Sequence, residues 1–114
     1  MSPRERATST NLLVAAMPAK DRARLLATTQ PVDLPFNEVL VEAGSPIRDV
    51  YFPVDSYISL INSVGDSAII EIGLVGREGM FGESHALGVT QSPFTAVVQG
   101  SGQALRMSAA ASTS

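Results

Sequence analysis

The residues with the clearest chemical potential lie in one glycine-rich segment, Gly73–Gly88, which reads GLVGREGMFGESHALG. The pattern predicts a strand, then a turn over Gly76–Gly79, then one or two helical turns over Met80–Leu87. Backbone N–H groups at a helix start are unpaired and attract anions. Gly82 would let a ligand approach the backbone, and Glu83 could accept a hydrogen bond from a sugar hydroxyl. We therefore predict an anion site here; the alternative is a glycine-rich hairpin with a surface glutamate.

Catalytic and metal chemistry find little support in the side chains present. The single histidine, His85, directly follows Ser84, and chain neighbours rarely face each other as base and nucleophile. Without cysteine and with one histidine, the chain has no disulfide, catalytic thiol or cysteine–histidine metal site. Glu71, Glu78 and Glu83 would form an acidic oxygen site only if their turns converged. We expect no enzyme activity and no bound metal.

Length and charge exclude further classes of protein. A chain of 114 residues with 45% hydrophobic residues makes one globular domain. Eight basic against eleven acidic side chains give a net charge of −3, whereas duplex binding needs a clustered basic face. The apolar run Leu12–Met17 is too short for a signal peptide or a membrane span. We expect a cytoplasmic domain with no membrane partner and no direct DNA contact.

The N-terminal third predicts two short helices. Thr10 or Asn11 is a suitable cap for a helix over Leu12–Met17. Pro18 suits the first turn of a second helix, which must end before Pro31 because the residue preceding a proline leaves the α region. These helices would flank the remainder of the domain.

From Pro31 onward the hydrophobic period is that of strands. Turn signals recur at roughly 8–12-residue spacing, which is typical of a compact antiparallel barrel or sandwich. The fold class predicted is mainly β with flanking short helices (α+β). The strand candidates are Val32–Phe36, Val39–Val41, Val50–Phe52, Tyr57–Ile61, Ala68–Val75, Ala96–Val98 and Ala104–Met107.

Three stretches in this order resemble the sensor domain of the Crp/Fnr family of bacterial transcription regulators. NLLVAAMPAKDRARLL resembles the N-terminal helical pair, NEVLVEAGSPIRDVYFPVDSYISL the first hairpins, and EIGLVGREGMFGE the start of the phosphate-binding cassette. The resemblance implies a jelly-roll-like, antiparallel β-roll of the cyclic-nucleotide-binding-domain type over residues 11–107. Residues 1–10 would then be a flexible N-terminus, and residues 108–114 a disordered tail.

The same resemblance implies a ligand site. Gly82 and Glu83 match the glycine and glutamate that meet the ribose and phosphate in ligand-binding members of the family. Those members then place an arginine on the cyclic phosphate, followed by Ser or Thr and a small residue. No arginine occurs between Gly88 and Leu105, and Phe94 or Thr95 stands in its place. The expected ligand is thus a weakly bound cyclic nucleotide or a different molecule. The candidate ligand-binding residues are Gly82, Glu83, Ser84, Phe94 and Thr95.

The resemblance stops at Met107, before the family's long dimerisation helix and winged helix-turn-helix. We therefore expect a truncated regulator: a sensor domain that takes a small-molecule effector, as a monomer or weak homodimer. The alternative is a structural or protein-interaction β-roll whose pocket is filled by its own side chains, with Phe94 turned inward.

Overall fold

The computed structural model of the chain describes residues 11–64, 68–83 and 88–112. These residues contain three helices and seven strands. In chain order they are α1 (Leu12–Ala16), α2 (Ala19–Thr28), β1 (Gln30–Leu34), β2 (Val39–Val41), β3 (Asp49–Pro53), β4 (Tyr57–Val64), β5 (Ala68–Val75), β6 (Thr95–Gly100), β7 (Gly102–Ser108) and α3 (Ala109–Ser112).

Asn11 begins α1 and also fastens this helix to the β-roll. Its side-chain oxygen accepts a hydrogen bond from the Val14 N–H at 3.0 Å, as expected of a helix cap. Its amide nitrogen donates to the carbonyl of Pro53 at 2.7 Å and to that of Gly79 at 3.2 Å. The side chain is completely buried. The predicted cap at Asn11 is therefore confirmed, while Thr10 lies outside the described residues.

The strands form two antiparallel sheets that pack face to face. One sheet has the order β1-β7-β3, and the other has the order β2-β6-β4-β5. All their strand pairs are antiparallel. The predicted fold class, an antiparallel β-roll with short flanking helices, is confirmed.

The register of the strands shows which side chains lie on each face of the three-stranded sheet. Tyr51 pairs with Arg106 and Pro53 with Ala104, so these four side chains share one face. That face meets the other sheet in a core of Leu34, Tyr51, Ile58, Phe81, Ala96, Val98 and Ala104. The opposite face meets the helices in a core of Val14, Val50, Phe52, Val54, Leu105 and Met107.

Two local predictions differ from the structure. The helix predicted over Met80–Leu87 is absent at its start, because Phe81 pairs with Tyr51 as an isolated β-bridge. Residues 84–87, the rest of that prediction, lie outside the described part. The strand predicted to reach Phe36 ends at Leu34, and Phe36 is 62% exposed because the chain turns there.

A helical turn follows the last strand of the domain. Ser108 is the last residue of β7, and α3 begins at the next residue. Ala109 is buried, and its N–H donates to the Arg48 carbonyl at 2.8 Å. Residues 1–10 and 113–114 lie outside the described ranges, and the disorder expected at both ends of the chain stays a prediction.

Strand β5 lies at the edge of the four-stranded sheet and is little covered. Its large aliphatic side chains are half-exposed or more, with Ile69 at 69%. An uncovered edge strand presents unpaired backbone groups together with apolar surface, which favours contact with other chains. The exposed members are Ile69, Ile70, Ile72 and Leu74.

Candidate functional site

The first half of the predicted cassette is held against β3 by the backbone. Phe81 and Tyr51 exchange two N–H···O=C hydrogen bonds, each 2.9 Å long. Gly82 follows with φ of +103°, and a Cβ there would lie 2.7 Å from the Asp49 carbonyl oxygen and 3.1 Å from Val50 Cα. Glycine is therefore required at position 82 by both its conformation and this close approach.

The second half of the cassette returns along the turn between β2 and β3. The N–H of Gly44 donates to the Ser92 carbonyl at 2.7 Å, and the Ser92 N–H donates to the Ser45 carbonyl at 2.9 Å. The Thr95 hydroxyl oxygen accepts a hydrogen bond from the Ala43 N–H at 3.0 Å. The described residues of both halves of the cassette are thus fixed to one segment, the turn between β2 and β3 together with the start of β3.

A cavity of about 450 Å³ opens beside the turn between β2 and β3. Tyr51 and Phe81 contribute buried aromatic surface to it. Among the described residues of its lining, Arg48 is basic, and Glu42 and Asp49 are acidic. The other described lining residues are Val39, Leu40, Val41, Ser45, Pro46 and Ile47. We call this space the hairpin cavity, a name that refers only to the turn between β2 and β3.

The Tyr51 hydroxyl lies in an environment that keeps it protonated. Burial raises the pKa of the phenol, and the negative charges of Asp49 and Glu38 raise it further. Arg106, its cross-strand neighbour, acts in the opposite direction through its charge and a hydrogen bond to the phenol. Tyr51 is therefore a neutral hydrogen-bonding group throughout the physiological pH range.

The candidate ligand-binding residues predicted from the sequence differ in their burial, and the structure places the four described ones outside the lining of the hairpin cavity. Gly82 is buried, Glu83 is exposed, and Phe94 and Thr95 are half-buried. None of these four is among the residues that line the hairpin cavity. Ser84, the fifth, lies outside the described residues. The structure thus brings the described residues of the cassette to the β2–β3 turn and the start of β3, but it does not place these four side chains in the hairpin cavity.

Sequence reasoning missed Tyr51, Asp49 and Arg106 as neighbours at this site. Tyr51 and Arg106 are 55 positions apart and meet through the pairing of β3 with β7. No local motif signals such a contact. The alternation of Asp49, Tyr51 and Pro53 along β3 would have placed the first two on one face once that strand's inner face was known.

The sequence matches the family model described as "Cyclic nucleotide-binding domain" over residues 31–113. This match covers more than two thirds of the chain, including both sheets and the whole cassette. The chain therefore belongs to the cyclic nucleotide-binding domain family. A comparison with curated protein sequences gives no match.

Solved structures share the fold at low sequence identity. A candidate cyclic nucleotide binding protein from Ruegeria pomeroyi is 16% identical, with a TM-score of 0.82 over 98% of this chain and 51% of that one. The N-terminal domain of a transcriptional regulator from Streptomyces coelicolor is 19% identical, with a TM-score of 0.73 over 90% and 71% of the two chains. The catabolite activator protein of Thermus thermophilus is 16% identical, with a TM-score of 0.70 over 86% and 46%.

The chain spans about half the length of the Ruegeria and Thermus proteins. Among residues 11–64, 68–83 and 88–112, no group of three or more histidine, cysteine or acidic side chains is arranged to hold a metal ion. The helices within those ranges are all too short or too polar to cross a membrane. The domain family is regulatory rather than catalytic in character.

Proposed function

We propose that this chain is the sensor domain of a Crp/Fnr-type bacterial transcription regulator, and that its effector is not tightly bound cyclic AMP. The observation that carries the proposal is a cassette whose described residues are held by backbone hydrogen bonds, while its sequence has no arginine at the anion-binding position. Phe81 and Gly82 dock on β3, and residues 90–95 dock on the β2–β3 turn. The Streptomyces and Thermus neighbours support a role in transcription regulation.

Burial supports Phe94 as the residue at the position of the missing arginine. The family pattern places Ser or Thr after that arginine and then a small residue. Ala96 is completely buried and pairs with Val41 on one neighbouring strand and with Leu60 on the other. A small side chain suits such a position. Thr95 then takes the hydroxyl position and Phe94 the arginine position.

Loss of that arginine has a defined energetic effect. A hydrogen bond to a charged group contributes about 1.5–3 kcal/mol, so its absence weakens binding of a cyclic phosphate about 10- to 150-fold. The nearest cavity does not supply a compensating excess of positive charge, because Glu42 and Asp49 outnumber Arg48 in its lining. A buried anion without a counter-charge is costly.

Signal transmission would use the cassette as a two-state element. An effector bound beside the β2–β3 turn would favour one arrangement of the cassette, and the following segment would report the shift to a DNA-binding partner or domain. The net charge of −3 fits a domain that makes no direct DNA contact. We place the domain in the cytoplasm, where such regulators act.

Thermal unfolding in the presence of cyclic AMP and cyclic GMP tests the proposal. A ligand at 100 times its Kd stabilises the folded state by about 2.7 kcal/mol. We expect no rise in Tm at 1 mM of either nucleotide beyond that given by the same concentration of 5′-AMP. A specific rise with cyclic AMP would overturn the proposed ligand preference and leave the fold assignment intact.

We further propose that the chain is a monomer or weak homodimer, and that any self-association uses β5. Exchange of Ile70 for Lys would place a charge on its half-exposed apolar surface. Sedimentation velocity at rising concentration should then show less dimer for Ile70→Lys than for the parent chain. The control is Leu12→Lys, which changes an aliphatic side chain of similar exposure on α1. Equal dimerisation of both variants would exclude β5 as the contact.

A further inference from the structure

The hairpin cavity combines an apolar floor with a half-buried carboxylate, that of Asp49. Tyr51 and Phe81 are 7% and 8% exposed, and Ile47 beside them is 5% exposed. A volume of about 450 Å³ is within the roughly 300–1,000 Å³ of small-molecule sites. The floor therefore offers aromatic and aliphatic contact to a ligand of about the size of a substituted ring.

The charges around this cavity favour a cation. Asp49 is half-buried and lines the cavity, and Glu42 lies at its rim. Arg48 and Glu42 are both exposed, so water screens much of the charge of each. Of the charged groups that act on Tyr51, Asp49 and Glu38 are negative and Arg106 is positive. The half-buried carboxylate therefore dominates the interior of the cavity.

We infer that the hairpin cavity binds a small molecule with an apolar or aromatic body and a cationic amino group. The ammonium group would lie against Asp49, and the body of the ligand would lie on Tyr51 and Phe81. An aromatic face within about 6 Å of a cation adds to the attraction of the carboxylate. This inference rests on the proposed function and gives the chemical class of the effector.

The test uses three probes of one shape and different charge: benzylamine, benzyl alcohol and benzoate. Each is titrated into the ¹⁵N-labelled chain, and amide shifts are followed at the hairpin and at Phe81. We expect benzylamine to bind about tenfold more tightly than benzyl alcohol, and benzoate to bind more weakly than both. Tighter binding of benzoate than of benzylamine, or shifts confined to other surfaces, would overturn the inference.

Asp49→Asn should remove most of the preference for benzylamine while leaving benzyl alcohol binding unchanged. The matched control is Asp33→Asn, because Asp33 is exposed on β1 and is not among the residues lining the cavity. An unchanged preference in Asp49→Asn would contradict the assigned role of this carboxylate. A cyclic AMP titration of the parent chain separates the two claims: its binding would refute the proposed ligand preference, whereas failure of benzylamine alone would refute only this inference.

Discussion

Replacing Asn11 by Ala should lower the free energy of unfolding by about 3–5 kcal/mol. The substitution removes the cap of α1, which contributes about 1 kcal/mol. It also leaves the Pro53 and Gly79 carbonyls without their amide donor, at about 1–3 kcal/mol for the buried bond to Pro53 and about 1 kcal/mol for the part-buried bond to Gly79. Urea denaturation followed by circular dichroism measures the change.

Asn11→Ser separates the two contributions. Serine keeps an oxygen that can accept the Val14 N–H, and it is too short to replace both donations to Pro53 and Gly79. We expect its stability to lie about 1 kcal/mol above that of Asn11→Ala and well below that of the parent chain. A loss under 1 kcal/mol in Asn11→Ala would show that the buried network does not hold the helix to the roll.

The second large effect is expected for Gly82→Ala, at about 3 kcal/mol. The backbone at position 82 has a positive φ that non-glycine residues adopt only at a cost of about 1–3 kcal/mol. In addition, the new Cβ would lie 2.7 Å from the Asp49 carbonyl oxygen, so β3 or the cassette must shift. The same denaturation experiment measures the loss.

Gly44→Ala is the matched control for this substitution. Gly44 also has a positive φ, of +86°, but a Cβ there would meet no atom within 4 Å. It should show the conformational cost alone, about 1 kcal/mol. Equal losses in the two variants would mean that the contact between Gly82 and β3 carries no energy, contrary to the packing described above.

The sequence predicted the elements well where the signals are local. The Asn11 cap and the helix start at Pro18 each follow from the preference of one residue type for one backbone conformation. The helix predicted to begin at Met80 is wrong for a physical reason. Met80 and Phe81 fit the helical pattern of their segment, but the hydrogen bonds of Phe81 to Tyr51 hold Phe81 extended. A long-range backbone pairing overrides a weak local preference.

The candidate site was only partly accessible to sequence reasoning. Gly82 was singled out for the approach of a ligand, and the structure shows a close approach of the protein's own strand β3. The hairpin cavity depends on the position of Tyr51 beside Phe81 and on the register of β3 with β7. Both are contacts between residues distant in the chain, which neither composition nor hydrophobic period encodes.

The most direct test of the account is the affinity of this domain for cyclic AMP before and after a cation is placed at position 94. Isothermal titration calorimetry of the parent chain, of Phe94→Arg and of Gln99→Arg gives the comparison. Gln99→Arg is the control, because Gln99 is an exposed residue of β6, the strand that begins directly after Phe94. We predict a Kd above about 1 mM for the parent chain and for Gln99→Arg, and at least tenfold tighter binding for Phe94→Arg. A micromolar Kd for the parent chain, or equal affinities in both arginine variants, would contradict it.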